Sequence, residues 1–175
     1  EFKLDKILEI STKSENKLGT QLSAFNLKIK FKDQEYFLES LFQGSKIFAD
    51  QGPNEDIYEK SSIDAKKDER IKRSDLKEFS FFGEIFSLDF DFYSWLYFIA
   101  LNQNEKLKTG ILNYEAFTDI EFNPEKSLNC QAYSAALYSS MVKNKILVND
   151  KEYDIGELKN LMPSKKIKNY QQKLI

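Results

Sequence analysis

Leu38-Glu39-Ser40-Leu41-Phe42-Gln43-Gly44-Ser45-Lys46-Ile47-Phe48-Ala49 is the stretch on which the reading of this chain turns. Its spacing predicts a helix from Leu38 to Ala49, ending before Gly52-Pro53. At 100° per residue, Leu38, Leu41, Phe42 and Ala49 fall within one broad apolar stripe. Glu39, Gln43 and Lys46 stand at i, i+4 and i+7 along the border of that stripe. In such a helix Glu39 and Lys46 are about 20° apart around the axis and ~10 Å apart along it, too far for a routine ion pair. Two readings are open. Either this is an ordinary polar boundary, or a carboxylate, an amide and an amine face one groove with room for a substrate between them.

Upstream, Ile7–Thr12 alternates weakly, as a short strand would. Phe25, Leu27, Ile29 and Phe31 share one face of a second strand, Lys32-Asp33-Gln34 forms a turn, and Glu35–Leu38 returns. Downstream, Ser62 and Asp64 can cap a basic helix running to Arg73. Phe92–Asn102 is apolar nearly all round and predicts a buried helix. Asn129–Asn144 predicts another, with a small face (Ala132, Ala136, Ser139, Ser140) and a bulky one (Cys130, Tyr133, Leu137, Met141). The tail from Lys159 reads as a loose helix or a disordered segment. Early strands followed by helices give an α+β class, helix-dominated, with a small sheet or hairpin near the N-terminus. The division is residues 1–158 as one domain and 159–175 as a basic tail. The chain opens on Glu1-Phe2 rather than Met, so a segment before residue 1 is also expected.

Composition excludes more than it suggests. The chain has no histidine, which removes Ser-His-Asp and Cys-His triads and His-ligated metals. One cysteine, Cys130, makes neither an internal disulfide nor a Cys-rich zinc site. No calcium-loop spacing, phosphate loop or dinucleotide glycine fingerprint occurs, so neither metal nor cofactor is implied. With no apolar run of 18 or more, no membrane span is expected, and the thiol-poor chain reads as cytoplasmic. The net charge of −2 hides an uneven layout. From Lys60 to Lys77, seven basic residues stand against four acids, so a globally acidic chain could still hold a polyanion locally. A solvated lysine-rich surface is the plainer account of the same segment.

Several ordered motifs carry a family resemblance. Leu22-Ser23-Ala24-Phe25-Asn26 followed by Leu38–Phe48 resembles the NADAR (YbiA-like) superfamily, with its F-S-N-F-like turn and S-E-H-x-x-Q-A-x-K-F helix. Ser61–Arg70 is similar to the superfamily's small-residue and arginine helix, and Ala116–Pro124 with Asn129–Ala132 to its late aspartate and asparagine segments. The stretches Phe81–Glu84, Tyr93–Tyr97, Ala116–Pro124 and Asn129–Ala132 resemble the branch that acts as antitoxin beside DarT-type toxins.

The resemblance implies a glycohydrolase that removes ADP-ribose from guanine in DNA, preferably single-stranded, by cleaving the N-glycosidic bond. The implied partners are that DNA, ADP-ribose as product, and the toxin, with direct contact undetermined. By resemblance, Glu39, Lys46 and Asp119 are catalytic, and Ser23, Phe25, Asn26, Gln43, Gly44, Phe122 and Asn129 contact the ligand. Trp95 is a weaker candidate for a stacking wall. Lys46 serves either as a cation or as a nucleophile through a Schiff base, the second being favoured. Ser40, Leu41 and Phe122 depart from the family's His, aromatic and Trp, which implies a different base pocket and no imidazole role. Lys66, Lys67, Arg70, Lys72 and Arg73 are the expected DNA-phosphate contacts. The alternatives are an N-glycosidase on riboflavin-pathway intermediates and a non-catalytic module that binds ADP-ribose or the toxin.

Overall fold

The computed structural model describes residues 6–119 and 130–163. In chain order these form β1 (Ile7–Glu9), α1 (Lys17–Gln21), β2 (Lys28–Phe31), β3 (Gln34–Phe37), α2 (Leu38–Gly44) and β4 (Lys46–Phe48). There follow α3 (Ser62–Lys67), β5 (Leu76–Phe81), β6 (Glu84–Ser87), α4 (Phe92–Asn102), α5 (Glu105–Ile111), β7 (Ala116–Thr118), α6 (Gln131–Lys143) and α7 (Ile155–Leu161). The strands make three small sheets: β1 parallel to β7, the β2–β3 hairpin, and antiparallel β4-β5-β6. The fold is α+β, as expected.

The axle is α4. Residues Phe92 to Leu101 are all buried, which explains a sequence with no polar face. Most of its polar groups are turned to partners. Tyr97 donates to Leu22 O at 2.8 Å, Ser94 and Ser134 share a hydroxyl contact at 2.9 Å, and Asn102 donates to Tyr153 O at 2.8 Å. Trp95 is fully enclosed by the rings of Phe81, Phe86, Phe90 and Phe92, its indole N–H donating to Ile155 O at 3.3 Å. Burying each such ring contributes roughly 1.5–3 kcal/mol, so this cluster anchors the domain.

Local chemistry explains the hairpin. Lys32 and Asp33 both take left-handed backbone angles, the tight turn whose twist matches its strands, and Ile29 and Tyr36 then pair with buried side chains.

Four expectations change. The helix expected to reach Ala49 stops at Gly44, and Lys46–Phe48 instead pairs with β5, Lys46 opposite Phe79 and Ile47 opposite Glu78. Ile and Phe suit a pleated strand, but a three-residue strand exists only because a distant partner accepts its hydrogen bonds. The basic helix stops at Lys67, after which the Asp68 carboxylate caps a separate 3-10 turn by accepting from Arg70 N at 3.0 Å. Its N-cap is Ser61; Ser62 instead donates its hydroxyl to Phe25 O at 2.8 Å. On α6 the residues turned inward include Ser134, Ala135 and Tyr138, and the expected small face is split, Ala132 and Ser139 being buried and Ala136 and Ser140 exposed. Finally, α7 crosses the boundary drawn at residue 158, and Lys159 pairs with Glu84 of β6. Residues 164–175 of the expected tail lie outside the described residues.

Candidate active site

Every residue of α2 is buried, and its first turn has no side-chain cap. The early turn supplies what is missing. Leu38 N donates to Leu27 O at 2.9 Å and Glu39 N to Ala24 O at 3.2 Å, so Leu22–Asn26 sits directly on the helix start. That turn is in turn held by Gln131 at the start of α6. Its Oε1 accepts from Ala24 N and its Nε2 donates to Ile10 O, both at 2.9 Å.

Glu39, Gln43 and Lys46 form a continuous array. Gln43 Nε2 donates to Glu39 Oε1 at 2.8 Å, and Lys46 Nζ donates to Gln43 Oε1 at 2.6 Å. The ammonium also lies 5.0 Å from the centre of the Phe42 ring. The three residues meet as the i, i+4, i+7 spacing suggested, although Lys46 arrives on a strand. Its backbone is fixed by β5 and by Gly52, where a Cβ would come within 2.3 Å of Lys46 O. Burial pushes the Glu39 carboxyl above its usual range, against the opposing pull of the Gln43 bond and the Lys66 and Lys46 charges. Burial likewise lowers Lys46 to about 8, with Glu39 opposing and Lys66 reinforcing. An acid and an amine are thus both drawn toward neutrality side by side.

Asp119, half-buried, lies just past β7, which β1 holds in parallel register. Its charge and that of Glu39 both act on Tyr93, whose hydroxyl burial keeps protonated. Tyr93 packs its ring edge-on to Phe42, centroids 5.1 Å apart. Its hydroxyl donates no hydrogen bond among the described residues. Tyr93 is therefore a buried hydroxyl on which both carboxylate charges bear, one the sequence does not single out because α4 is apolar on every side and no position stands out. Gln131 was missed too; only its place beside Asn129 and Cys130 in a quoted motif hinted at it.

The remaining expected residues divide. Phe25 is half-exposed beneath Lys66 Nζ, 5.0 Å from its ring centre, and Asn26 is exposed and donates to Thr20 O at 2.8 Å. Ser23 is buried and accepts from Phe25 N at 3.4 Å, which makes it a brace of the turn. Gly44 is closed off: a Cβ there would lie 2.7 Å from the Tyr58 ring and 2.9 Å from Asn54 O, so its lack of a side chain serves packing rather than a ligand. Trp95, enclosed in the core, offers no stacking surface. Phe122 and Asn129 lie outside the described residues. Of the expected DNA contacts, Arg70 is clamped by Asp56 and Asp68, Arg73 by Asp50 and Asp75, and Lys72 by Glu69. Lys66 and Lys67 make no ion pair among the described residues, and the charge of Lys66 reaches both Glu39 and Lys46.

Two surface hollows lie elsewhere, one of about 680 Å³ between α1 and α5 and one of about 800 Å³ between β2 and the end of α4. Neither is lined by Glu39, Gln43 or Lys46. The array is the candidate site on its chemistry rather than on volume, because paired groups with opposed and perturbed titration are what a reacting centre requires. Among the described residues no helix is long and apolar enough to cross a membrane, and no cluster of acidic or thiol groups could hold a metal.

No curated protein matches the chain. The family model of the DarT1-associated NADAR antitoxin matches residues 1–172, and that family's antitoxin role agrees with the branch to which the motifs pointed. Matched over nearly its whole length, the chain belongs to the DarT1-associated NADAR antitoxin family.

Proposed function

We propose that this chain is an antitoxin glycohydrolase that removes ADP-ribose from guanine bases in DNA by hydrolysing the N-glycosidic bond, reversing a DarT-type modification. The observation that carries this reading is the buried Glu39–Gln43–Lys46 array, with its raised carboxyl and its amine lowered to about 8.

The reacting form is the neutral pair, carboxylic acid beside free amine. At the ordinary values of 4.5 and 10.5 that form would be about one in a million of the singly protonated pair. Bringing the amine to about 8 alone raises it to about one in three thousand, and the raised carboxyl adds to this. The free Lys46 amine bonds to the anomeric carbon as the bond from that carbon to guanine nitrogen breaks. Glu39 gives the departing nitrogen its proton. The sugar ring then opens to an imine on Lys46, one amine proton passing to the ring oxygen. Water adds to the imine carbon with Glu39 relaying its protons, and release of ADP-ribose restores the amine. Asp119 stabilises the positive charge that develops on the sugar.

The test is incubation with guanine-ADP-ribosylated single-stranded oligonucleotide, alongside Lys46→Ala and Glu39→Ala. Release of ADP-ribose by the natural chain and its loss in both variants is expected, with borohydride leaving an adduct on Lys46. Release without an adduct would confine Lys46 to a cationic role. Tight binding without release would make the chain a sequestering module instead.

A further inference from the structure

Four cationic side chains around α3 are spent on neighbouring carboxylates: Lys60 on Asp68, Arg70 on Asp56 and Asp68, Lys72 on Glu69, Arg73 on Asp50 and Asp75. Lys66 is not. Exposed on α3, it makes no ion pair among the described residues and reaches back over the half-exposed ring of Phe25, 5.0 Å from its centre. This position is fixed by two tethers. Ser62 donates to Phe25 O at 2.8 Å, binding the start of α3 to the early turn, and Ser40 of α2 donates to Lys60 O at 2.8 Å. The same early turn accepts the first amides of α2, so Lys66, Phe25 and Glu39 share one scaffold. With α3 and α2 both tied to that turn, Lys66 lies close to their array, and its charge bears on Glu39 and on Lys46 alike.

An exposed cation whose charge bears on a second amine, that of Lys46, is unfavourable unless an anion joins them, and an ammonium over an aromatic face suits a phosphate lying beside a stacked base. We propose that Lys66, held over Phe25 close to the Glu39–Gln43–Lys46 array, is a phosphate-binding subsite of the active site. This rests on the glycohydrolase reading for its purpose, though its chemistry does not depend on turnover. The phosphate belongs either to the diphosphate of ADP-ribose or to the DNA strand next to the modified base.

The experiment measures binding of ADP-ribose and, separately, of an unmodified single-stranded oligonucleotide to the natural chain, Lys66→Gln and Lys66→Arg, at two salt concentrations. Lys66→Gln is expected to weaken one probe about tenfold, with Lys66→Arg restoring most of it. Weakened ADP-ribose with unchanged oligonucleotide assigns the subsite to the diphosphate. Weakened oligonucleotide alone, its salt slope falling by about 0.7, assigns it to the strand. Unchanged binding of both probes, or no binding of either to the natural chain, overturns the proposal. Release of ADP-ribose from the modified oligonucleotide is read in parallel. A natural chain that binds a probe through Lys66 yet releases nothing keeps the subsite and loses the glycohydrolase.

Discussion

Glu39 and Lys46 are joined without touching: the Gln43 side chain donates to the carboxyl at 2.8 Å and accepts from the amine at 2.6 Å. The amide sets the distance between acid and amine and satisfies a polar atom of each in a buried place. It carries no charge of its own, and the hydrogen bond it donates favours the ionised carboxylate less than burial disfavours it.

Gln43→Leu keeps the volume and removes the link. Each buried polar atom left without a partner costs about 1–3 kcal/mol. The expected result is a lowered thermal midpoint together with at least a tenfold fall in ADP-ribose release. A variant as stable and active as the natural chain would show that the amide is a bystander.

The neutral-pair mechanism predicts a bell-shaped pH–rate profile. Activity falls on the acid side where the Glu39–Lys46 pair takes a second proton, and on the alkaline side near pH 8 where it loses its last. Glu39→Gln removes the acid partner, so its residual rate should rise with pH through the lysine titration instead of falling. Lys46→Arg should be inactive, because a guanidinium stays charged. A profile that keeps its alkaline fall in Glu39→Gln would refute the pairing.

Lys46 also bears on stability. Its folded value of about 8 lies below the unfolded 10.5, so the folded state binds that proton more weakly. The cost is complete below about pH 8 and disappears as pH rises to 10.5. Lys46→Met is therefore expected to be more stable than the natural chain at neutral pH, by at most about 3 kcal/mol, with the difference shrinking as pH climbs. Denaturant titrations at three pH values measure this; a constant difference would contradict it.

Tyr93→Phe keeps the ring against Phe42 and removes only the hydroxyl on which the Glu39 and Asp119 charges bear. The thermal midpoint should hold, kcat/KM should fall about tenfold, and the pH limbs should move. Unchanged kinetics would reduce Tyr93 to packing.

Trp95 gives the converse case. Trp95→Phe in the enclosed ring cluster should cost about 1–3 kcal/mol of stability and leave KM for the modified oligonucleotide unchanged. A raised KM with unaltered stability would return it to the site.

Legibility followed the range of the interactions. The β2–β3 hairpin was readable because alternation and turn residues are local, and α4 because a helix apolar all round can only be interior. The stop at Gly44 was not, since Lys46–Phe48 becomes a strand only when Leu76–Phe81, some thirty residues on, lies beside it. The basic segment was legible only in part for a related reason: its arginines look unpaired in sequence, but the fold sets Asp50, Asp56, Asp68 and Asp75 against them.

The reactive inventory is set by the residues alone: no histidine, one thiol, and a carboxylate, amide and amine at four- and three-residue spacing beside an apolar stripe. That spacing survived a wrong helix end because Glu39 and Gln43 are neighbours on any helix, and the chain after Gly44 needs only a short reach to bring Lys46 back. Packing alone settles that Glu39 and Gln43 are buried with Lys46 half-buried beside them, that two carboxylate charges from distant segments bear on Tyr93, and that the charge of Lys66 bears on the array. Burial sets the titration of Glu39 and Lys46, and burial is a property of what packs around a side chain, which no local pattern encodes.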